Sequence, residues 1–327
     1  MKQRSLAKTG VAVSEIGLGC WQFGGDFGPM DEATAFEIMQ AAVDSGINFF
    51  DTADVYGAGR SEALIGEFLR QSKQPIFVAT KFGRNAKVYP DKYSEAALRR
   101  AVDAALERLS QDAIDLLQLH CVPIGLLREA KVFDWLRRIQ DEGLIRYFGA
   151  SVETEEEGML CLQQEGLVSL QVIVNIFRQR PLEQLLPAAK ARGVGIIVRL
   201  PLASGLLSGR YTRDTHFAPT DHRTYNRDGQ VFSVGETFAG LTLEKGVALT
   251  DELKRYVPAD MSMAQMAQRW LLDHDAVTTL ITGVSRPEQA RENTVASALA
   301  PLPADLRSRL AKFYREEVKP HIRGGFG

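Results

Sequence analysis

INFFDTADVYGAGRSEALIGEFL (residues 47–69) passes from an apolar run through a polar turn into a helical pattern. Phe49 and Phe50 read as a strand closed to water on both faces, and the apolar spacing that follows predicts a helix over 61–71. Asp51 stands where the strand ends and Tyr56 five residues later. A charged side chain at the end of a buried strand belongs at a mouth, because burial without a partner is costly. The same arrangement recurs in PIFVATKFG (75–83), with Lys81 near its end, and in IDLLQLHC (114–121), with His120.

Working outward, the period switches repeatedly between strand and helix. Strands are predicted at 16–21, 49–50, 76–80, 115–120, 146–151, 170–175, 195–200 and 278–282. The first is followed by a helix whose face is Ala35, Ile38, Met39, Ala42 and Val43, closed by Gly46. After the helix at 61–71 comes one with Leu98, Ala101, Val102, Ala105 and Leu109 as its stripe. Further helices are expected at 130–141, 154–165, 182–192, 261–273 and 287–298. Eight alternating units imply an α/β chain closed into a (β/α)8 barrel, read as a single domain over 1–327. RSLAKTGVAVS (4–14) reads as a hairpin plugging the barrel bottom, and the irregular stretch at about 203–245 as a functional lid or clasp. Asp51, Lys81, His120, Ser151, Asn175 and Arg199 then fall at the ends of strands two to seven, on one rim.

Composition narrows the partners. With 45% hydrophobic and 24% charged residues the chain is ordinary for a globular protein, and its net charge of −2 offers no basic face for nucleic acid or a membrane. Cys20, Cys121 and Cys161 are odd in number with no C-x-x-C pair, which predicts reduced thiols, no structural zinc and a cytoplasmic location. No run approaches the ~20 apolar residues of a membrane span, and MKQRSLAKTG has no apolar leader core.

Taken singly, the four polar residues have bland explanations. Asp51 could cap a helix, Tyr56 could be a packed aromatic, Lys81 could snorkel and His120 could be a satisfied core histidine. Together those explanations require four coincidences on neighbouring strands. A working site gives each a task. A tyrosine with a pKa of about 10 needs help to transfer a proton, and an adjacent Lys81 ammonium is expected to lower that pKa. Asp51 would hold Lys81 charged, and neutral His120 would donate to a substrate oxygen. No residue is an electron source, so reduction calls for a cofactor. GLGCWQFGG (17–25), GAGRSE (57–62) and GLLSGRY (205–211) all miss the spacing of phosphate-binding glycine loops. ITGVSRPEQARENT (281–294) runs from the last strand into a helix N-terminus, and could be an anion site or a plain serine cap with a surface arginine.

The chain resembles the aldo-keto reductases over essentially its whole length. The resemblance lies in RSLAKTGVAVSEIGLGCWQFGG, FFDTADVYGAGRSEALIGEFL, VATKFG, DLLQLH, GASVE, LQVIVNIFRQRP, IIVRLPLASGLLSGRY and VSRPEQARENT, in the family's order. It implies a catalytic tetrad of Asp51, Tyr56, Lys81 and His120, with Tyr56 as proton donor and no metal. It also implies NADPH, preferred over NADH, extended across the mouth and passing hydride to a small-molecule carbonyl. By the same resemblance Ser151 and Gln171 meet the nicotinamide carboxamide, and Gly19, Cys20 and Trp21 line the ring and substrate, with Asp51 beneath. Arg199, Pro201, Leu202, Ser204, Gly205 and Leu207 would follow the ring and pyrophosphate. Ser285 and Arg286 would meet the 2′-phosphate, Gln289 and Asn293 would lie near the adenine, and Gly283 is expected to touch the cofactor.

Two positions depart from the family's commonest pattern. Val152 replaces an asparagine after the serine, and Arg199 stands where an aromatic often stacks on the nicotinamide. Residues 221–240 resemble a version found in one bacterial branch and are expected at the cofactor clasp or substrate mouth. Trp21, Phe23, Phe82 and Val122 suggest a partly apolar pocket. The leading expectation is a carbonyl reductase or, in reverse, an alcohol or sugar dehydrogenase. The alternative is a cofactor-binding regulatory protein of low turnover. A barrel glycosidase or metal-dependent lyase lacks its carboxylate pair or His/Asp cluster.

Overall fold

Segments that alternate between continuous apolar runs and 3.6-residue stripes have one compact solution, strands inside and helices outside. The computed structural model, which describes residues 1–326, has that arrangement. β1 (Gln3–Ser5) and β2 (Ala12–Ser14) form an antiparallel hairpin. The barrel strands are β3 (Ile16–Gly19), β4 (Phe49–Asp51), β5 (Phe77–Phe82), β6 (Ile114–His120), β7 (Ile145–Ser151), β8 (Leu167–Ile173), β9 (Gly195–Arg199) and β10 (Val277–Gly283). They close in chain order, β10 pairing with β3, and every pair is parallel. This confirms the (β/α)8 barrel.

Around it lie α1 (Glu32–Asp44), α2 (Arg60–Gln71), α3 (Glu95–Leu109), α4 (Ile124–Glu129), α5 (Lys131–Asp141), α6 (Glu155–Cys161), α7 (Leu185–Arg192), α8 (His222–Tyr225), α9 (Leu243–Leu253), α10 (Met263–Leu272), α11 (Pro287–Ala298) and α12 (Ala304–Phe313). Their starts follow local chemistry. Asp31 and Ser94 accept from Thr34 and Ala97 backbone N–H groups, and Thr154 with Glu157 and Ser262 with Gln265 form reciprocal capping boxes. Among the described residues no helix is long and apolar enough to cross a membrane.

Several predicted boundaries move. The first strand stops at Gly19, and Trp21 opens a short 3-10 turn instead of extending it. The helix expected over 154–165 ends at Cys161, and α7 starts at Leu185 after a separate turn at Arg180–Leu182. The irregular stretch after β9 carries α8 and is closed by α9, a helix unforeseen in the sequence reading, as were α4 and α12.

The hairpin plugs the lower end as expected. Leu6 and Val13 pack with Phe49, Ala79, Leu116, Ile197 and Ile281, the inward residues of five strands. Sealing Phe49 from water contributes about 2–3 kcal/mol. Arg4 ties the hairpin to the barrel, donating to Glu15 Oε1 (2.7 Å) and the carbonyls of Val277 and Leu272 (both 2.6 Å). With that end closed, the opposite end is left for chemistry.

Candidate active site

Every barrel strand sends at least one residue, at its end or just beyond, to the wall of one cavity of about 760 Å³. They include Gly19 after β3, Asp51 on β4, Arg84 beyond β5, His120 on β6, Glu153 beyond β7, Gln171 on β8, Arg199 on β9 and Gly283 on β10. That volume is at the upper end of ordinary ligand pockets.

At its floor the Lys81 ammonium spends all three N–H groups. It donates to Asp51 Oδ1 (2.5 Å), the Thr52 carbonyl (2.7 Å) and the Tyr56 hydroxyl (3.2 Å). The side chains of Lys81 and Asp51 are 0% and 2% exposed. The other Asp51 oxygen accepts from Gln171 (2.6 Å) and Gln118 (3.1 Å). Burial opposes the Lys81 charge, but Asp51 and Tyr56 outweigh it and lift its pKa above the usual lysine value. Asp51 therefore holds Lys81 charged, as the sequence suggests.

Tyr56 behaves differently from expectation. Burial raises its pKa, the Lys81 ammonium lowers it and Asp51 raises it, and the net direction is upward. The nearby cation does favour the phenolate, but desolvation of the phenolate outweighs it. His120, its ring edge-on to Tyr56 at 6.0 Å, is held well below the usual imidazole value by burial, with Arg84 and Lys81 adding to the effect. It is a neutral imidazole, and its Nδ1 is buried without a partner.

Above the floor the walls divide. On one side Trp21 stacks on Tyr56 (5.8 Å), packs against His222 (4.7 Å) and donates through Nε1 to Asp26 (2.9 Å). Tyr225 donates to the same carboxylate (2.9 Å), so residues 221–232 are docked onto the loop after β3. This stretch is part of the mouth. Phe23 and Phe82, expected in the pocket, are buried behind it, and Phe27, Tyr89 and Phe232 line it with Trp21 and Val122.

The other side carries a charge cluster that the sequence reading missed. Glu236 is buried and receives Arg84 at 2.5 Å and Arg199 at 3.2 Å, while Arg84 also reaches Glu153 at 2.6 Å. Burial opposes ionisation of Glu236, but Arg199 and Arg84 hold its pKa well below the carboxylate range. Arg178 braces the cluster from behind, donating to the Glu153 and Gly235 carbonyls. Arg84 and Glu153 obey the strand-end rule that exposed the tetrad, so the same signal could have found them. Glu236 has no local signal.

The residues expected at a dinucleotide fall into groups. Gly19, Cys20, Trp21, Asp51, Gln171, Arg199, Pro201, Leu202, Ser204, Gly205, Gly283, Ser285 and Gln289 line the cavity. Ser151 sits behind Cys121, with 3.6 Å between its hydroxyl and the sulfur, and Gln171 already donates to Asp51. Leu207 is fully buried, and Asn293 accepts from Gln268 (2.8 Å), so neither is at the wall. Asn175 is spent on a turn, donating to the Leu200 carbonyl and accepting from Phe177 N–H. Ser285 bonds Gln289 Oε1 through both N–H and hydroxyl, and so is not a simple helix cap. Arg286 beside it is exposed, with its side chain in no ion pair or hydrogen bond among the described residues.

These residues fit a nucleotide cofactor. Arg199 Nε is a buried donor without an acceptor. At Gly205 (φ +98°) a Cβ would come within 2.1 Å of the Tyr211 hydroxyl, so only glycine keeps this wall open. Leu200, Ala203 and Ser204 also adopt positive φ, which costs about 1–2 kcal/mol each, and such strain gathers at ligand-binding segments.

Comparison with known proteins agrees with the geometry. A sequence model of the Aldo/keto reductase family matches residues 15–315. The chain is 30% identical over 303 residues to the uncharacterized oxidoreductase YqkF of Bacillus subtilis (strain 168), covering 91% of each. It is 28% identical to an NADH-specific methylglyoxal reductase of Escherichia coli (strain K12), covering 90% of this chain and 92% of the relative. Among solved structures, the holo form of aldo-keto reductase AKR11C1 from Bacillus halodurans superimposes with a TM-score of 0.77 at 30% identity, covering 96% of both chains.

Proposed function

Since the chain belongs to the aldo/keto reductase family, a family of nicotinamide-dependent oxidoreductases, we propose that it is a carbonyl reductase using NADPH and small aldehydes or ketones. The observation that carries this reading is Lys81 bridging Asp51 and the Tyr56 hydroxyl, beside a neutral His120, on the floor of a cavity of about 760 Å³.

A carbonyl oxygen lying between Tyr56 and His120 is held and polarised by both. The cofactor, when bound, supplies the hydride that adds to the carbonyl carbon. As charge develops on the oxygen, Tyr56 donates its proton, and the Lys81 ammonium at 3.2 Å stabilises the phenolate left behind. Asp51 keeps that ammonium charged and aimed. Solvent then returns the proton, and the product is the alcohol. A raised phenol pKa keeps the proton in place until the oxyanion calls for it, which favours reduction at neutral pH. Run backwards, the same site oxidises alcohols or sugars.

The preference for NADPH rests on Arg286, a free guanidinium next to Ser285 at the start of α11, where a phosphate would receive a charge-assisted contact. The deciding assay follows reduced-cofactor absorbance with a reactive aromatic aldehyde, wild type against Tyr56→Phe, with cofactor affinity from fluorescence. Turnover should fall by more than about a hundredfold while binding holds. Tight NADPH binding with no turnover of aldehydes, ketones or sugars by the wild type would instead indicate a low-turnover binding protein.

A further inference from the structure

A nicotinamide ring differs in charge between its two states: oxidised it carries one positive charge, and accepting a hydride cancels it. The rest of the dinucleotide is unchanged. Fixed charges beside the ring therefore act on the difference between the two forms, while contacts elsewhere act on both alike. The charge cluster of the cavity wall is placed to do this.

Hydride donor and acceptor carbons must approach to about 3–3.5 Å. A carbonyl held by Tyr56 and His120 thus fixes the ring to the same part of the cavity, where Gln171 donates to Asp51, Cys121 follows His120 and Arg199 reaches the Cys121 sulfur at 3.4 Å. The guanidinium of Arg199 is near enough to act on the charge of both Tyr56 and His120. Of the other cations, Lys81 is paired with Asp51, while Arg84 shares Glu236 with Arg199 and also reaches Glu153. Glu153, pushed up to about 7 by burial and by Glu236 beside it, is only partly ionised near neutrality. Glu236 is then the main countercharge to Arg199, and it comes from the loop after β9, not from the barrel.

Resting on the reductase reading above, we propose that Glu236 sets the balance between oxidised and reduced cofactor in the site, by neutralising the Arg199 cation beside the nicotinamide. With the carboxylate in place part of the wall's positive charge is offset and both forms bind. Without it, the wall carries one more uncompensated positive charge, which repels the oxidised ring and leaves the reduced ring almost untouched.

The experiment is a set of fluorescence titrations with NADP+ and NADPH, and in parallel with NAD+ and NADH, on wild type, Glu236→Gln, Glu236→Asp, Arg199→Gln and the Glu236→Gln/Arg199→Gln double variant. In Glu236→Gln the ratio of oxidised to reduced Kd should rise about tenfold, the effect of one uncompensated charge over about 10 Å at an effective dielectric of about 20. Arg199→Gln should move the ratio the other way, and the double variant should return it close to wild type. Glu236→Asp keeps the charge and should keep the ratio, even if the loop loosens and both affinities fall. Equal weakening of both forms in Glu236→Gln overturns the inference alone and reduces Glu236 to a loop anchor. Failure of all four nucleotides to bind wild type overturns the reductase reading, and the inference with it.

Discussion

Replacing Lys81 by Met strands a carboxylate. In the native site Asp51 Oδ1 is matched by the ammonium at 2.5 Å, and its other oxygen by Gln171 and Gln118. Lys81→Met leaves Oδ1 and the Thr52 carbonyl without donors at a position that is 2% exposed. Asp51→Asn does the converse, burying an ammonium that keeps only neutral partners. Breaking a buried pair from either side costs about 3–5 kcal/mol, whereas replacing both members by neutral groups is often close to neutral. If independent, the two losses would sum to about 6–10 kcal/mol. The double variant should instead lose no more than either single, a coupling of at least about 3 kcal/mol. Urea unfolding at pH 7 of the four proteins measures this. Additive losses would refute the claim that the pair acts as one unit.

Other outcomes follow from the same geometry. Asp54 is buried with one oxygen unpartnered, and burial together with Glu62, only partly offset by Arg108, pushes it up to about 7 from 3.8. The folded state then binds more protons than the unfolded one in that window, so Asp54 subtracts stability as pH rises through it. Asp54→Asn should gain on wild type from pH ~4 upward, levelling above pH ~7 at no more than about 4 kcal/mol, and identical melting profiles would count against this. A Cβ at Gly24 would come within 2.6 Å of Gly57 N and 2.7 Å of the Tyr56 carbonyl carbon. Gly24→Ala should therefore displace Tyr56 and lower kcat by about tenfold or more with little change in cofactor affinity, as a kcat and Kd comparison will show. Because the Tyr56 pKa is raised, saturated reduction should stay flat from pH ~6 to ~9 while alcohol oxidation keeps climbing toward the ordinary tyrosine value of about 10. An oxidation rate that levels near neutrality would contradict it.

The barrel and the tetrad are legible in the sequence for one reason. A parallel strand covered on both faces reads as a mainly apolar run, so Asp51, Lys81 and His120, ionisable side chains at or next to the strand ends, stand out against it. The hairpin is legible from its alternation, and the mouth position of 221–240 from resemblance alone. What stayed hidden depends on contacts across the fold. Glu236 meets Arg84 across 152 residues, from a stretch with no periodicity to announce it. The upward shift of Tyr56 is a desolvation effect, and desolvation is visible only once the neighbours are placed. Helix α9 carries a buried stripe of Leu243, Val247, Thr250 and Leu253, but it begins inside a segment whose glycines and charges read as loop. In α12 the spacing of Leu306, Leu310 and Phe313 was available and simply lies beyond the last barrel helix that the pattern requires.

The two ends of the stretch between β9 and α9 are built into the main core through Leu206, Leu207, Phe238 and Leu241. Between Leu207 and Phe238 it is held by polar anchors that include Asp26 holding Tyr225, Arg84 and Arg199 holding Glu236, and Arg178 holding the Gly235 carbonyl, and it contributes no strand to the closed sheet. That middle part is in effect a detachable faceplate. Selection or design can exchange it wholesale to alter what enters the mouth while the eight-stranded frame keeps its stability. The constraint is that four sockets on the frame, at positions 26, 84, 178 and 199, must be inherited or rebuilt together with any new plate.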